Sequence, residues 1–340
     1  MGELTMKSTR RSLIRKAAAS IVLGSTTSRQ LLAGVAQNEL APKKVPSGST
    51  VGLIAPASAV SETQISRSLE NCDRLGFTPV LGRAVRKQFG YLAGTDEERA
   101  ADLNRMIRSR EVDAIWCIRG GWGSARILDR VDFDALKRNP KPIMGYSDVT
   151  ALLNAAYTQT GQKGYHGPNA SFSESPYTEE MFLNMVTGQT SGFIENHPEA
   201  EVKTIRTGTA KGTLVGGNLT VLSHTVGSPY APDCSGAILF LEDVSEAPYR
   251  VDRMLTHLKI SGILDRISGF IFGTCRRCDR SVDPFTVEEI IEQHIAPLGI
   301  PAYTGASIGH IRHAMTVPLG VEVEMNASLG KFRILDNQLS

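Results

Sequence analysis

The chain has 340 residues, 41% hydrophobic and 21% charged, the balance of a folded protein long enough for two ordinary domains rather than of a disordered one. Its formal net charge of +2 hides an asymmetry, because residues 1–36 hold six basic side chains (Lys7, Arg10, Arg11, Arg15, Lys16, Arg29) against Glu3 alone. Taken from totals of 37 bases and 35 acids, that leaves 31 against 34, a mildly acidic body without a long basic run, which excludes nucleic acid as the main partner.

The first segment reads as an address. Thr9-Arg10-Arg11-Ser12-Leu13-Ile14-Arg15 sets paired arginines directly before a short, weakly apolar stretch, Ala17 to Gly24, and residues 1–36 so resemble a twin-arginine export signal. Small residues at Gly34 and Ala36 suit cleavage before Gln37. This implies passage through the twin-arginine translocase and a periplasmic protein; a basic amphipathic helix opening a cytoplasmic protein is the alternative. The apolar run falls far short of the ~20 residues that cross a bilayer.

After a polar connector, 37–48, strand and helix signals alternate through a first domain, 49–170. Val51 to Ala55 reads as a strand, followed by Ile65, Leu69, Cys72 and Leu75 at helical spacing, then a strand from Phe77 to Leu81. Thr95 to Glu98 forms a capping box opening a helix through Leu103, Met106 and Ile107. Asp113 to Ile118 and Lys141 to Met144 are further strands, the latter turning at Gly145-Tyr146-Ser147 into a helix with Val149, Leu152, Leu153 and Ala156. Such units predict a parallel sheet covered by helices, with chemistry at the strands' carboxyl ends. Residues 171–208 have the irregular, polar composition of an interdomain connection. The second domain, 209–336, shows strands at Gly236 to Leu241 and Ile267 to Phe272, helices at Tyr249 to Leu258 and after the capping box Thr286 to Glu289, and a terminal hairpin, Val321 to Glu324 with Lys331 to Leu335.

Five cysteines, an odd number, make no disulfide framework. Cys275 and Cys278 form one C-x-x-C, which reads as half a zinc site without its second half, as a local disulfide in an oxidising compartment, or as two loop thiols.

Gly145-Tyr146-Ser147-Asp148 lies where a strand meets a helix, so the serine sits on a tight turn and the Asp148 amide points toward any oxyanion formed there. The second glycine of G-x-S-x-G is missing, and a helix N-cap is the competing reading. A serine nucleophile needs a base, and the base a group that fixes its tautomer. Among seven histidines His310, ending an apolar stretch, stands out. His313 is its competitor, His166 closes a first-domain strand facing the same cleft, and His224, His257 and His294 fall in helical patterns. Leu239-Phe240-Leu241-Glu242-Asp243 puts a carboxylate at a buried strand end, which is costly unless paired; Glu246 is the less buried alternative. Gly121-Trp122-Gly123-Ser124 has rival readings as a nucleotide loop or a second serine elbow, but no third glycine is in place and no Gly-Lys-Ser/Thr occurs.

Arg-Gly-Gly-Trp-Gly at 119–123, Gly-Tyr-Ser-Asp at 145–148, His-Gly-Pro at 166–168, Gly-Gly-Asn-Leu at 216–219, Leu-Glu-Asp-Val-Ser-Glu at 241–246 and Gly-His at 309–310, in this order, resemble the L,D-carboxypeptidase (muramoyltetrapeptide carboxypeptidase) family of serine peptidases over about residues 48–336. The resemblance implies an α/β fold: a class I glutamine-amidotransferase-like parallel-sheet domain plus a smaller mixed α/β domain, with the site between them. It implies Ser147 as nucleophile, Glu242 as acid, His310 as base, and backbone amides of Gly121 and Asp148 as the oxyanion site. Neither metal nor other cofactor is expected, and a homodimer is. The substrate would be a murein tetrapeptide losing its terminal D-alanine, with Arg119, Trp122, His166 and Asn218 on the substrate side. A terminal carboxylate needs a cation, for which Arg119 is the best-placed residue and Arg126 the alternative. Two departures stand out. Relatives begin near the first strand, and Ile311-Arg312-His313-Ala314 replaces the usual Pro or Asp and Asn after Gly-His. A branch resembling microcin C self-immunity peptidases implies cleavage of an acyl-adenylate analogue instead. An exported solute-binding protein, the reading from another class, has no need of Ser, His and Glu at three strand ends.

Overall fold

The computed structural model describes residues 43–173, 175–279 and 284–335. The export-signal reading therefore lies outside the described residues. Five short strands, β1 (Thr50–Ile54), β2 (Thr78–Leu81), β3 (Ala114–Cys117), β4 (Ile143–Gly145) and β5 (Gly164–His166), alternate with helices and pair in parallel, in the spatial order β5-β4-β3-β1-β2. Val51 to Ile54 and all of β3 are buried, as covering a parallel sheet on both faces requires. Trp116 stacks on Phe182 with ring centroids 4.8 Å apart and donates its indole N–H to the Pro168 carbonyl at 2.7 Å, so the large ring is buried with its donor satisfied. The capping boxes at Thr95/Glu98 and Thr286/Glu289 both form, opening helices Asp96–Arg108 and Val287–Ile295.

The remaining strands are β6 (Phe193–Ile194), β7 (Lys203–Arg206), β8 (Thr209–Asn218), β9 (Ile238–Val244), β10 (Gly269–Arg276), β11 (Ala302–Thr304), β12 (Val317–Leu319), β13 (Glu322–Asn326) and β14 (Lys331–Ile334). All but β12 form a second sheet, β6-β14-β13-β8-β9-β10-β11-β7, parallel from β8 to β11 and antiparallel outside it. The terminal hairpin is β13–β14. β12 returns to the first sheet and pairs antiparallel with β5, Val317 opposite His166. The segment 171–208, irregular by composition, holds helix Pro176–Val186, capped by Ser175, and strands β6 and β7 at the two edges of the second sheet. Edge position suits the polar β7, Lys203 to Arg206, whose outer side pairs with no described strand. No described helix is long and apolar enough to cross a membrane.

The two sheets meet where helix Thr150–Thr160, which follows β4, runs against the end of β8. The Asn218 amide donates to Thr150 Oγ1 at 3.0 Å, and Asn154 Nδ2 donates to the Gly216 carbonyl at 2.9 Å. Gly216 and Gly217 have φ of 137° and 130°, and an added Cβ would stand 1.9 Å from the Phe240 carbonyl oxygen and 2.6 Å from Thr150 Oγ1 respectively. Only glycine lets β8 touch β9 on one side and this helix on the other. Gly216→Ala should therefore destabilise the protein by about 3 kcal/mol or more, read as the midpoint of urea unfolding; an unchanged midpoint would contradict this account.

Candidate active site

Ser147 directly follows the turn out of β4 and adopts φ 64°, the left-handed region that a residue with a side chain rarely occupies. A short helical turn, Ser147–Val149, runs on into helix Thr150–Thr160, and neither start has a side-chain cap, which removes the N-cap reading of the serine. Against it lies the turn at Gly120: a Cβ there would stand 2.9 Å from Ser147 Cβ and 3.1 Å from both Ser147 Oγ and the Asp148 amide nitrogen. Backbone alone thus approaches the hydroxyl beside the Asp148 amide, the arrangement that can receive an oxyanion.

Buried groups behind the turn hold it. Asp148 accepts the Ser124 amide at 2.7 Å, and burial pushes its carboxyl up, opposed by that hydrogen bond and by Arg99. The buried Arg99 donates to the carbonyls of Gly123 and Pro56 and pairs with Asp96. Ser58 Oγ accepts the Trp122 amide at 3.0 Å. Ser124 is wholly buried, so the rival elbow has no access to a substrate.

On β9, Glu242 has no exposed surface, and its Oε2 lies 2.7 Å from His310 Nδ1. Asn218 Nδ2 donates to Oε1 at 3.3 Å, and His166 Nε2 stands 3.8 Å away. With Nδ1 engaged, Nε2 is the free nitrogen of His310, and the ring lies 4.6 Å from that of Tyr146, next in the chain to Ser147. Such an imidazole can take a proton from a serine hydroxyl while the carboxylate steadies its charge. Glu246 instead pairs with Arg250 at 3.5 Å, and His313 stacks on His197 at 4.1 Å and bonds Ser175 at 2.9 Å. Asp243 accepts from Asn218, the Thr220 amide and hydroxyl, and the Val244 amide, and is pushed up to about 6 by burial and by Glu242.

A cavity of about 750 Å³ opens beside His310, lined among others by Tyr146, His166, Phe172, Arg276 and Arg312. Of the four residues expected on the substrate side, only His166 lines it. Arg119 donates to the Ala59 carbonyl at 2.8 Å and does not line this cavity, and its alternative Arg126 is paired with Asp96 at 2.9 Å. Asn218 is only 4% exposed and engaged on all sides, with Oδ1 capping Val221, so it braces Glu242 rather than meeting a ligand. Trp122 is exposed on the glycine turn and does not line this cavity. The expectations missed Arg276 and Arg312; the signal for the first was the Arg-Arg pair inside Cys275-Arg276-Arg277-Cys278, which proves to be a disulfide.

Residues 51–167 match the profile of the LD-carboxypeptidase N-terminal domain, and residues 211–325 that of the LD-carboxypeptidase C-terminal domain. The probable murein peptide carboxypeptidase of Bacillus subtilis (strain 168) is 37% identical over 303 residues, covering 87% of this chain and 94% of its own length. Among solved structures, MccF in complex with glutamyl sulfamoyl guanosine superposes with a TM-score of 0.83 at 27% identity, covering 88% of this chain and 100% of its own. The muramoyltetrapeptide carboxypeptidase of Oxalobacter formigenes does so with 0.73 at 28% identity, covering 84% and 97%.

His166 gives the site a measurable signature. Burial lowers its pKa to about 4 from 6.5, with Glu242 pulling the other way, and Nε2 has no hydrogen-bond partner among the described residues. Above pH 6.5 the ring is neutral whether the chain is folded or not; as pH falls toward 4 the unfolded chain takes up a proton that the folded one refuses, so stability is lost on that descent. His166→Gln should flatten the acid side of a stability-against-pH curve by up to about 1.4 kcal/mol per pH unit, measured by urea unfolding. An unchanged slope would mean that the ring is charged in the folded protein.

Proposed function

We propose that this chain, which belongs to the LD-carboxypeptidase family, is a serine peptidase that releases the terminal D-residue of a murein tetrapeptide. The observation that carries the reading is the 2.7 Å bond between His310 Nδ1 and the buried Glu242, beside an uncapped serine on a left-handed turn. Ser147 Oγ attacks the carbonyl of the third residue, giving its proton to His310 Nε2. The amides of Asp148 and of the turn at Gly121 hold the oxyanion, and His310 hands the proton to the departing amine of the D-residue. Water then repeats the attack on the acyl-serine, with His310 again the base, and frees Ser147. The Bacillus subtilis relative and the Oxalobacter formigenes structure support a murein peptide as substrate. The MccF structure supports a second reading, cleavage next to an acylated sulfamoyl nucleoside, at lower identity than the first.

Ser147→Ala and His310→Ala should each lower kcat by about 10⁴-fold or more, and the double variant should be hardly worse, because the two act as one unit. Mass spectrometry of the tetrapeptide product should show loss of a single D-alanine and no cleavage of the L-alanine epimer. Near-normal turnover by folded Ser147→Ala, equal hydrolysis of both epimers, or hydrolysis of the acyl-nucleotide alone would overturn the murein reading.

We also propose export through the twin-arginine route, supported by Arg10-Arg11 and by the Cys275–Cys278 disulfide, a bond that persists in oxidising compartments. Replacing both arginines by lysine should keep the protein inside the cell, followed by fractionation and N-terminal sequencing. A wild-type protein that stays inside and retains Met1 would refute this.

A further inference from the structure

We propose that Arg276 and Arg312 form a carboxylate-binding subsite at the rim of the cavity beside His310, with the Cys275–Cys278 disulfide setting the position of Arg276. The proposal rests on the peptidase reading above and names how that site would recognise an anionic peptide. Two arginines line this cavity, and no Asp or Glu does so among the described residues; Arg312 also borders a second cavity, of about 400 Å³, that carries Glu199, Glu201, Asp279 and Glu288, so Arg276 is the principal cation of the subsite. Of the arginines expected to serve this purpose, Arg126 is paired with Asp96, and Arg119, bonded to the Ala59 carbonyl, does not line this cavity. Arg276 has no acidic partner among the described residues; Nη1 makes one long bond, 3.4 Å, to the His310 carbonyl, which leaves most of its fork of donors unused. A bidentate carboxylate fits that fork, and its charge answers the unpaired cation.

The backbone around both arginines is fixed, which is what separates a subsite from two loose side chains. Arg276 ends β10 opposite Val244, two residues beyond Glu242 on the neighbouring strand, and its carbonyl accepts the Ser245 amide at 2.8 Å. Cys275 and Cys278 then close the turn: the Cys278 amide donates to the Cys275 carbonyl at 3.2 Å, Arg277 takes φ 61°, and the sulfurs are bonded. Cys278 is fully buried, so the disulfide anchors an exposed arginine pair to the core. On the other side, Thr178 Oγ1 donates to the Arg312 carbonyl at 2.9 Å and accepts the Ala314 amide at 3.0 Å, pinning that loop to helix Pro176–Val186. The carboxylate could be the peptide's terminal one or one within the chain, and the subsite recognises the group common to both.

The test is calorimetric binding of murein tetrapeptide to the full chain carrying Ser147→Ala, which needs no turnover, together with fluorophosphonate labelling of the unaltered serine. Adding Arg276→Gln should weaken binding by about 10- to 100-fold, and Arg312→Gln by less. Cys275→Ser with Cys278→Ser should weaken binding several-fold, but hardly at all once Arg276 is already glutamine, a dependence that mere loosening of the fold would not produce. Reducing the disulfide with dithiothreitol gives the same comparison without substitution. A C-terminally amidated peptide that loses the same factor, and is then insensitive to Arg276→Gln, identifies the terminal carboxylate; if amidation of the internal carboxylates does this instead, the ligand is internal. Unchanged affinity in Arg276→Gln overturns the subsite even if Ser147 is labelled. Absence of labelling and of turnover, with binding still dependent on Arg276, would remove the peptidase reading and keep the subsite.

Discussion

A carboxylate with no exposed surface governs this molecule. Burying Glu242 is costly unless donors surround it, and each donor commits part of the chain. His310 reaches it because Gly309 turns at φ 120°, where a Cβ would lie 2.8 Å from Oε2. Asn218 reaches it because β8 and β9 pair in a register that sets Asn218 opposite Glu242. The same register places Gly216 and Gly217 under the helix that follows Ser147, and Thr150 and Asn154 of that helix bind back to β8. Serine and base are thus set relative to one another through backbone contacts, with little left to side-chain rotamers.

The residues that follow Ser147 and Glu242 share a design. Asp148 follows Ser147, Asp243 follows Glu242, and both are buried with their carboxyls pushed up. Neither faces the cavity beside His310. Asp148 ties the elbow to the glycine turn through Ser124, and Asp243 ties β9 to the start of helix Leu219–Thr225 through Thr220. Burial is tolerated because each carboxylate accepts backbone amides that would otherwise be orphaned at a chain turn.

Much of this was legible in the chain itself. The buried strands β1 and β3 announced themselves by apolar runs, the helices Asp96–Arg108 and Val287–Ile295 by their capping boxes, and the terminal hairpin by the turn at Asn326 to Gly330. Ser147, Glu242 and His310 were each read at a strand end, whereas Glu242 lies two residues inside the end of β9 and His310 in the loop between β11 and β12. What stayed hidden depended on partners distant in sequence. β12 is three residues long with a proline at its centre, tolerable only because it lies at a sheet edge. The ten residues of β8 contain three glycines and look like loop until the helix they accommodate is in place. Arg119 was attractive as the neighbour of the glycine turn, yet nothing in its spacing told that the Ala59 carbonyl would capture it. Arg276 carried the opposite problem, since its direction is set by a bulged strand and a disulfide rather than by any periodicity.

The late return of β12 also orders events in time. During synthesis the elbow bearing Ser147 is complete long before His310 exists, and at roughly 5–20 residues per second the interval is on the order of ten seconds or more. Over that interval the outer edge of β5 has no neighbour, and the serine has no base. Val317 arrives a few residues after His310 and closes that edge, so the last gap in the first sheet is sealed as the imidazole becomes available. Under the proposed mechanism a nascent or truncated chain is therefore chemically silent, and reactivity arrives only with an almost finished fold.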